Sequence, residues 1–393
     1  MVEIAKAEVP RRAPARATHL LELLGDVLPI PTTSYREQGV LDYVREFARA
    51  RGLDHRQDPF GNAYVTYRRG RARRPMVLQA HTDHPGFVVT SVRGPVLQLE
   101  FRGGLAAEYG RGEYVRVYGE ALPERGVQAR ITSVQVSKPA ARGAPRRLAG
   151  ARARLEAKPL RGAEIREGDL ALWDVTPFGV RDELVQARQC DDLAGCVTVL
   201  ATLDRVAAAG EPGHLVGLFT RAEEVGLEGA AAAAVAGELP ADALVVALET
   251  SSSAGGRAKQ GDGPIVRVGD RSHIFSPAMT MWMTSLAQQL ASEVPGFTYQ
   301  RKLMDAGGTE ATAFDLLGYE TGAACLALGN WHNAGPRGRV RAETVHLRDL
   351  EGLIRLCERM VAEAPAFPRT IEAARKRWRR IGVEAGERLQ AQP

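Results

Sequence analysis

The 393-residue chain is 45% hydrophobic and 25% charged, a balance that builds a large core and excludes a wholly disordered polymer. Its net charge of +5 is small for this length and is scattered over three basic runs, 67–74, 142–154 and 375–380, with no aromatic-interleaved module, so no nucleic-acid partner is expected. Four cysteines (Cys190, Cys196, Cys325 and Cys357) are too few for a disulfide framework, no apolar run is long enough to span a membrane, and the first twenty residues lack the apolar stretch of a secretory signal; together these point to the cytoplasm.

In chain order, residues 18–52 read as helical, with apolar residues at helical spacing in "THLLELLGDVL" and "YREQGVLDYVREFARARG". "PFGNAYVTYRRG" reads as a turn and a strand, and "PMVLQA" as a short buried strand leading to His81. From about 88 to 178, short β-type runs alternate with glycine and proline, the texture of a small antiparallel β-domain, with 137–159 expected as an exposed loop inside it. From 190 onward strands and helices alternate. "DDLAGCVTVLATLDRVAAAG" predicts a helix, "HLVGLFT" a strand, "AEEVGLEGAAAAAVAGEL" a largely helical stretch and "ADALVVALET" a strand. "SPAMTMWMTSLAQQLASEV" predicts a helix, "GYETGAACLALGN" a strand and "LRDLEGLIRLCERMVAEA" an amphipathic helix. The expected architecture is an α/β sheet covered on both faces, formed by 1–87 and 179–393 and interrupted by a β-domain over 88–178.

Polar clusters sit where these strands stop. His81 and Asp83 follow the first buried strand, and Asp191 and Asp192 open a helix. Glu223 and Glu224 follow a strand, Glu249 ends one, and His332 follows another. Singly, a strand-end histidine is a satisfied polar residue, and paired acids before a helix are caps. Together they bring acids and imidazoles from five segments to one sheet edge, where open α/β sheets carry their sites. The charges also match a two-metal hydrolase. Two divalent cations bring four positive charges; Asp191, Glu224 and Glu249 answer three, and a bridging hydroxide the fourth, with His81 and His332 neutral. Mixed nitrogen and oxygen ligands suit zinc, cobalt or manganese. Cys190 and Cys196 read as packing neighbours, not ligands.

On "GNAYVTY", "HTDHPGF", "DDLAGC", "EEVGLEGA", "GGTEATA" and "WHNAG", spread from about residue 20 to 360, the chain resembles the tetrahedral aminopeptidases, also called deblocking or glutamyl aminopeptidases. The 110 residues between His81 and Asp191 hold the β-domain, as in that family; "HTDHPGF" also resembles the aspartyl aminopeptidases, which share the early insertion. The resemblance implies a mixed-sheet zinc-peptidase (phosphorylase/hydrolase-like) α/β domain with an inserted β-barrel-like domain. It implies two divalent ions, most simply Zn²⁺ with Co²⁺ or Mn²⁺ as alternatives. It makes Asp191 the bridge between them, with His81 and Glu249 completing one site and Glu224 and His332 the other. Glu223 becomes the general base, Asp83 the residue that orients His81, and Asp192 a helix cap. It further implies a peptide substrate docked by its free α-amine, dimers through the inserted domain, and tetrahedral dodecamers built from them.

Four features depart from the family: "PTTSYREQG" lacks the usual glycine-serine-glycine start before Glu37, and three single positions differ. Glu249 and Glu310 stand where Asp is usual, Glu310 in a loop expected near the substrate, and His84 replaces an acidic residue, where a second imidazole is expected to shift metal preference. Two competing expectations remain open: an amidohydrolase or deacylase acting on small N-acylated molecules, and a binding protein with a relic site.

Overall fold

The computed structural model describes residues 15–71, 74–138, 146–157, 164–256 and 258–391. Helices α1 (Ala15–Val27) and α2 (Gln38–Arg51) precede strands β1 (Asp54–Gln57), β2 (Ala63–Arg69) and β3 (Met76–His81). Six strands follow: β4 (Gly86–Arg93), β5 (Val96–Arg102), β6 (Tyr114–Tyr118), β7 (Val127–Val136), β8 (Leu148–Leu155) and β9 (Leu170–Trp173). The hairpin β10 (Phe178–Arg181) and β11 (Leu184–Ala187) leads to α3 (Cys190–Ala209), β12 (Gly213–Thr220), α4 (Glu228–Ala236) and β13 (Leu244–Ser252). The chain ends with β14 (Ile265–Arg267), α5 (Pro277–Glu293), β15 (Gln300–Lys302), α6 (Ala311–Leu316), β16 (Glu320–Leu328), β17 (Glu343–His346), α7 (Leu347–Glu363) and α8 (Phe367–Gln390).

The central sheet has eight strands in the order β1-β2-β12-β3-β13-β16-β14-β15. Its middle four, β12, β3, β13 and β16, are mutually parallel, so their carboxyl ends emerge on one edge. Each is buried almost throughout, as strands covered on both faces must be. Along β3 the pleat sends Met76, Leu78 and Ala80 into a core shared with α1, α2, α3, α5 and α7. Val77 goes to the opposite face, with Ala230 and Ala234 of α4 and Phe314 of α6. Between β3 and α3 the chain closes a six-stranded barrel, β4-β5-β8-β7-β6-β9. Its core is separate, centred on Phe87, whose ring centroid lies 4.8 Å from Phe101 and 5.0 Å from Trp173.

Four expectations change. The 137–159 stretch is not a loop throughout: β8 pairs with both β5 and β7, placing Ala151 and Ala153 inside and Arg152 and Arg154 outside. Residues 139–145 and 158–159 of that stretch lie outside the described residues. The 18–52 stretch is two helices, since α1 stops at Val27 before Pro29 and Pro31. Helix α4 begins only at Glu228, because Gly226 (φ 141°) and Leu227 (φ 60°) turn the chain after β12. A separate sheet, β10-β11-β17, was not anticipated. Helix α8 leaves the body with only Phe367 and Ile371 buried, a solvated basic helix.

Candidate metal centre

The parallel edge gathers every predicted ligand. His81 is the last residue of β3, Glu249 lies in the carboxyl half of β13, and Glu223 and Glu224 stand in the turn after β12. His332 follows β16, and Asp191 opens α3, its peptide to Asp192 being cis. His81 Nε2 lies 3.5 Å from Asp191 Oδ1 and 3.9 Å from Glu223 Oε2. His332 Nε2 lies 3.5 Å from Asp191 Oδ2 and 3.2 Å from Glu224 Oε1. Three triplets have all their ligand atoms within 4.8 Å of one another: His81/Asp191/Glu249, Asp191/Glu224/His332 and His81/Glu223/Glu224.

Both imidazoles are preset to present Nε2. His81 Nδ1 is 3.1 Å from the carbonyl of Asp83, and His332 Nδ1 is 2.6 Å from the carbonyl of Gly104, at the barrel's rim. A ring nitrogen facing a carbonyl carries a proton, which makes Nε2 the nitrogen directed at the carboxylates; it donates to them here, and it is the atom on which a cation would replace that proton.

The turns bearing the acids are held by buried carboxylates. Asp83 accepts the N–H groups of Glu223 (2.9 Å) and Glu224 (3.1 Å) and the Ser34 hydroxyl (2.6 Å). Its carboxylate is 3.5 Å from His81 Nδ1, so it holds the Glu223–Glu224 turn as well as facing the imidazole it was expected to orient. Glu37 accepts from Ala222 N–H and from Arg221, one turn further back. Glu343, which no sequence motif singles out, accepts Asp191 N–H at 2.9 Å and His332 N–H at 2.7 Å.

Burial dominates the electrostatics. It pushes Glu249 up to about 7 and lifts Glu223 well above the usual range, the latter reinforced by Glu224 and Glu249. Burial alone would lower both histidines. Glu223 and Asp191 outweigh it at His81, and Glu224 and Asp191 at His332, so both are held well above the ordinary imidazole value. Burial likewise opposes Asp191, yet hydrogen bonds from His332 and His81 hold it low. Four carboxylates thus compete for two imidazoles in a largely buried site, an imbalance that divalent cations would neutralise. The donor set, the fixed tautomers and the 4.8 Å spacing fit a mixed nitrogen–oxygen metal centre.

Two expectations are corrected here. His84 faces away from the triplets: Nδ1 lies 2.5 Å from the Asp191 carbonyl and Nε2 3.1 Å from Asn333 Oδ1, so it braces the Asp191 backbone and is not a second imidazole ligand. The loop before Glu310 does line the cleft, at Gly307 and Gly308, but Glu310 itself does not. It is fully buried, bonded to Thr220 and Gln79, and burial pushes it up to about 8. Asp192 lies over the first turn of α3 against Gly195, where any Cβ would come within 2.1 Å of its Oδ2. Neither Cys190 nor Cys196 joins a triplet; Cys196 donates to the His81 carbonyl.

A cleft of about 980 Å³ opens onto the triplets, lined by His81, Asp191, Glu223, Glu224, Glu249 and His332 among others, with barrel residues 100–106 along one wall. Acids and imidazoles at the carboxyl edge of a mixed sheet, beside an inserted barrel, define a metallopeptidase-type hydrolase.

The sequence profile of the M42 glutamyl aminopeptidase family matches residues 61–356, and the chain belongs to that family. It is therefore a hydrolase of the aminopeptidase type, from a family whose members depend on metal. Among solved structures, an aminopeptidase from the archaeon Desulfurococcus kamchatkensis superposes with a TM-score of 0.72 at 21% identity, over 89% of this chain and 97% of that one. A TET aminopeptidase from Thaumarchaeota archaeon SCGC AB-539-E09 gives 0.72 at 22% identity, over 87% and 96%. The Pyrococcus horikoshii TET1 peptidase, described as able to assemble into a tetrahedron or a large octahedral shell, gives 0.69 at 24% identity, over 87% and 99%. At these identities the superpositions establish the shared fold.

Proposed function

We propose that the chain is a two-metal aminopeptidase that removes the N-terminal residue of peptides. One observation carries this reading: Asp191 turns its two oxygens to two different histidines, Oδ1 toward His81 and Oδ2 toward His332. Each of those pairs is completed by one glutamate, Glu249 or Glu224, so the two sites have matching donor sets that share one carboxylate. Two divalent ions held there, Zn²⁺ or alternatively Co²⁺ or Mn²⁺, would supply the charge that acidifies a water and polarises the scissile carbonyl.

Glu223 is the general base. Its side chain is 13% exposed against 5% for Glu224, and it lines the cleft. It takes the water's proton and returns it to the leaving amine, a role typically worth about 10²–10⁴ in rate. Asp83 fixes the position of Glu223 through the backbone N–H. Residues 1–87 and 179–393 make up the catalytic domain. The barrel within 88–178 walls the cleft, fixes the His332 tautomer through Gly104, and forms the dimer from which larger shells are built. Buried free cysteines suit a reducing cytoplasm.

The test is amino-acid release from peptides with free and with acetylated N-termini, after chelation and return of Zn²⁺, Co²⁺ or Mn²⁺. Metal-dependent release from free N-termini alone is expected. Turnover of acylated substrates alone would overturn the reading in favour of a deacylase.

A further inference from the structure

Glu343 is the first residue of β17, outside every metal-binding triplet and fully buried. Register places it opposite Ala187 at the end of β11, three residues before α3 begins. Its carboxylate spans two segments that are 141 residues apart in sequence. One oxygen accepts the N–H of Asp191 and the other the N–H of His332. Among the described residues no Lys or Arg lies within ion-pair reach of it, so a buried carboxylate is spent wholly on two backbone N–H groups.

The His332 side needs such a restraint. His332 has φ 54° and Asn333 φ 61°, left-handed conformations that persist only where surroundings over-determine them. Asn333 is tied down by its own amide, which donates to the carbonyls of Arg188 and Arg341. His332 is held by its ring to Gly104 and by its N–H to Glu343. Asp191 is restrained in the same way, by His84 at its carbonyl and Glu343 at its N–H.

We propose that Glu343 is a positioning residue that sets the separation of Asp191 and His332, and so selectively maintains the cation site formed by Asp191, Glu224 and His332. This rests on the two-metal reading above. The asymmetry follows from counting restrained donors. Glu343 fixes two of the three ligands of that site, but only the shared Asp191 of the site completed by His81 and Glu249, whose other two ligands sit on the rigid strands β3 and β13.

The test is a Co²⁺ titration of chelated full-length protein, read by visible absorption and calorimetry, comparing wild type with Glu343→Gln. Glutamine offers one acceptor and one donor in place of two acceptors, so one of the two N–H groups loses its partner. The wild type should take up two ions. The variant should bind one of them about 10–100-fold more weakly, the usual effect of losing a residue that orients a ligand, with the other changed by less than about threefold. A merely structural role would lower the melting temperature of the metal-free protein while both constants stay equal to wild type. That result would overturn the proposal and leave the two-metal reading standing. A wild type that binds fewer than two ions would overturn both. If Glu343→Gln does not fold, hydrogen exchange in the metal-free wild type decides: joint protection of the Asp191 and His332 amides supports the proposal, and free exchange at either overturns it.

Discussion

The barrel and the carboxyl edge of the central sheet are both buried, but they are buried differently. The barrel core is aliphatic and aromatic, built from Phe87, Phe101, Trp173, Leu97, Leu99 and Ile131. The sheet edge buries Asp83, Asp191, Asp192, Glu249, Glu310 and Glu343. Apolar burial is additive and non-directional, so a barrel residue contributes roughly in proportion to its area. A buried carboxylate is costly unless specific donors meet it, so Asp83, Asp191, Glu310 and Glu343 depend on named partners, whereas neither Asp192 oxygen has a hydrogen-bond partner among the described residues. The barrel should therefore respond to substitution in stability, and the edge residues that face the cleft in chemistry.

The largest separation of the two is expected at Glu223. Glu223→Ala should retain the melting temperature and metal content of the wild type while turnover falls by about 10²–10⁴ or more. Steady-state kinetics on a free-amine peptide checks this, and a wild-type rate would remove Glu223 from its role. The counterpart is Trp173→Ala in the barrel core. Emptying that site should cost about 3–5 kcal/mol of stability in denaturant unfolding. The rate constants of the protein that remains folded should stay close to wild type; a fall in kcat matching that of a site variant would erase the distinction between the two regions.

A subtler effect sharpens the comparison at Glu310, which belongs to the edge but touches no ligand. Its pKa rises from 4.5 to about 8 on folding, through burial. The folded state therefore keeps a proton that the unfolded chain gives up, and stability falls as pH climbs from about 4.5 through 8. Glu310→Gln cannot titrate and should remove that slope, becoming more stable than wild type at pH 8 by up to a few kcal/mol and similar to it near pH 4. Urea unfolding at the two pH values measures the difference; parallel stability profiles would show that Glu310 is solvated in the folded chain.

What the sequence made legible follows the same division. The four parallel strands were readable because each is a mainly apolar run followed by acids or an imidazole, and burial on both faces requires such runs. The candidate ligands His81, Glu224, Glu249 and His332 were readable because they sit where those runs stop, and Asp191 because it opens a helix as half of an acidic pair. Strand β8 was not, since "LAGARARL" pairs small residues with arginines and resembles a solvated loop; only the barrel shows that Ala151 and Ala153 are its inward face. The acids of "AEEVGLEGA" suggested a first helical turn, whereas Asp83 and the positive φ values at Gly226 and Leu227 hold them in a turn outside α4. Glu343 left no local signal at all. Its partners are the backbone N–H groups of Asp191 and His332, which no sequence pattern reports, and the pairing of β17 with β11 brings it to them.

In the proposed centre one carboxylate, Asp191, joins two cation sites at this edge. The most direct measurement is the number of Co²⁺ or Zn²⁺ ions bound per chain after chelation and reconstitution, in wild type, His332→Ala and His81→Ala. Two ions are expected for the wild type and one for each variant, with peptide turnover lost in both. A single ion in the wild type, or loss of both ions from one histidine variant while the other keeps two, would contradict that arrangement.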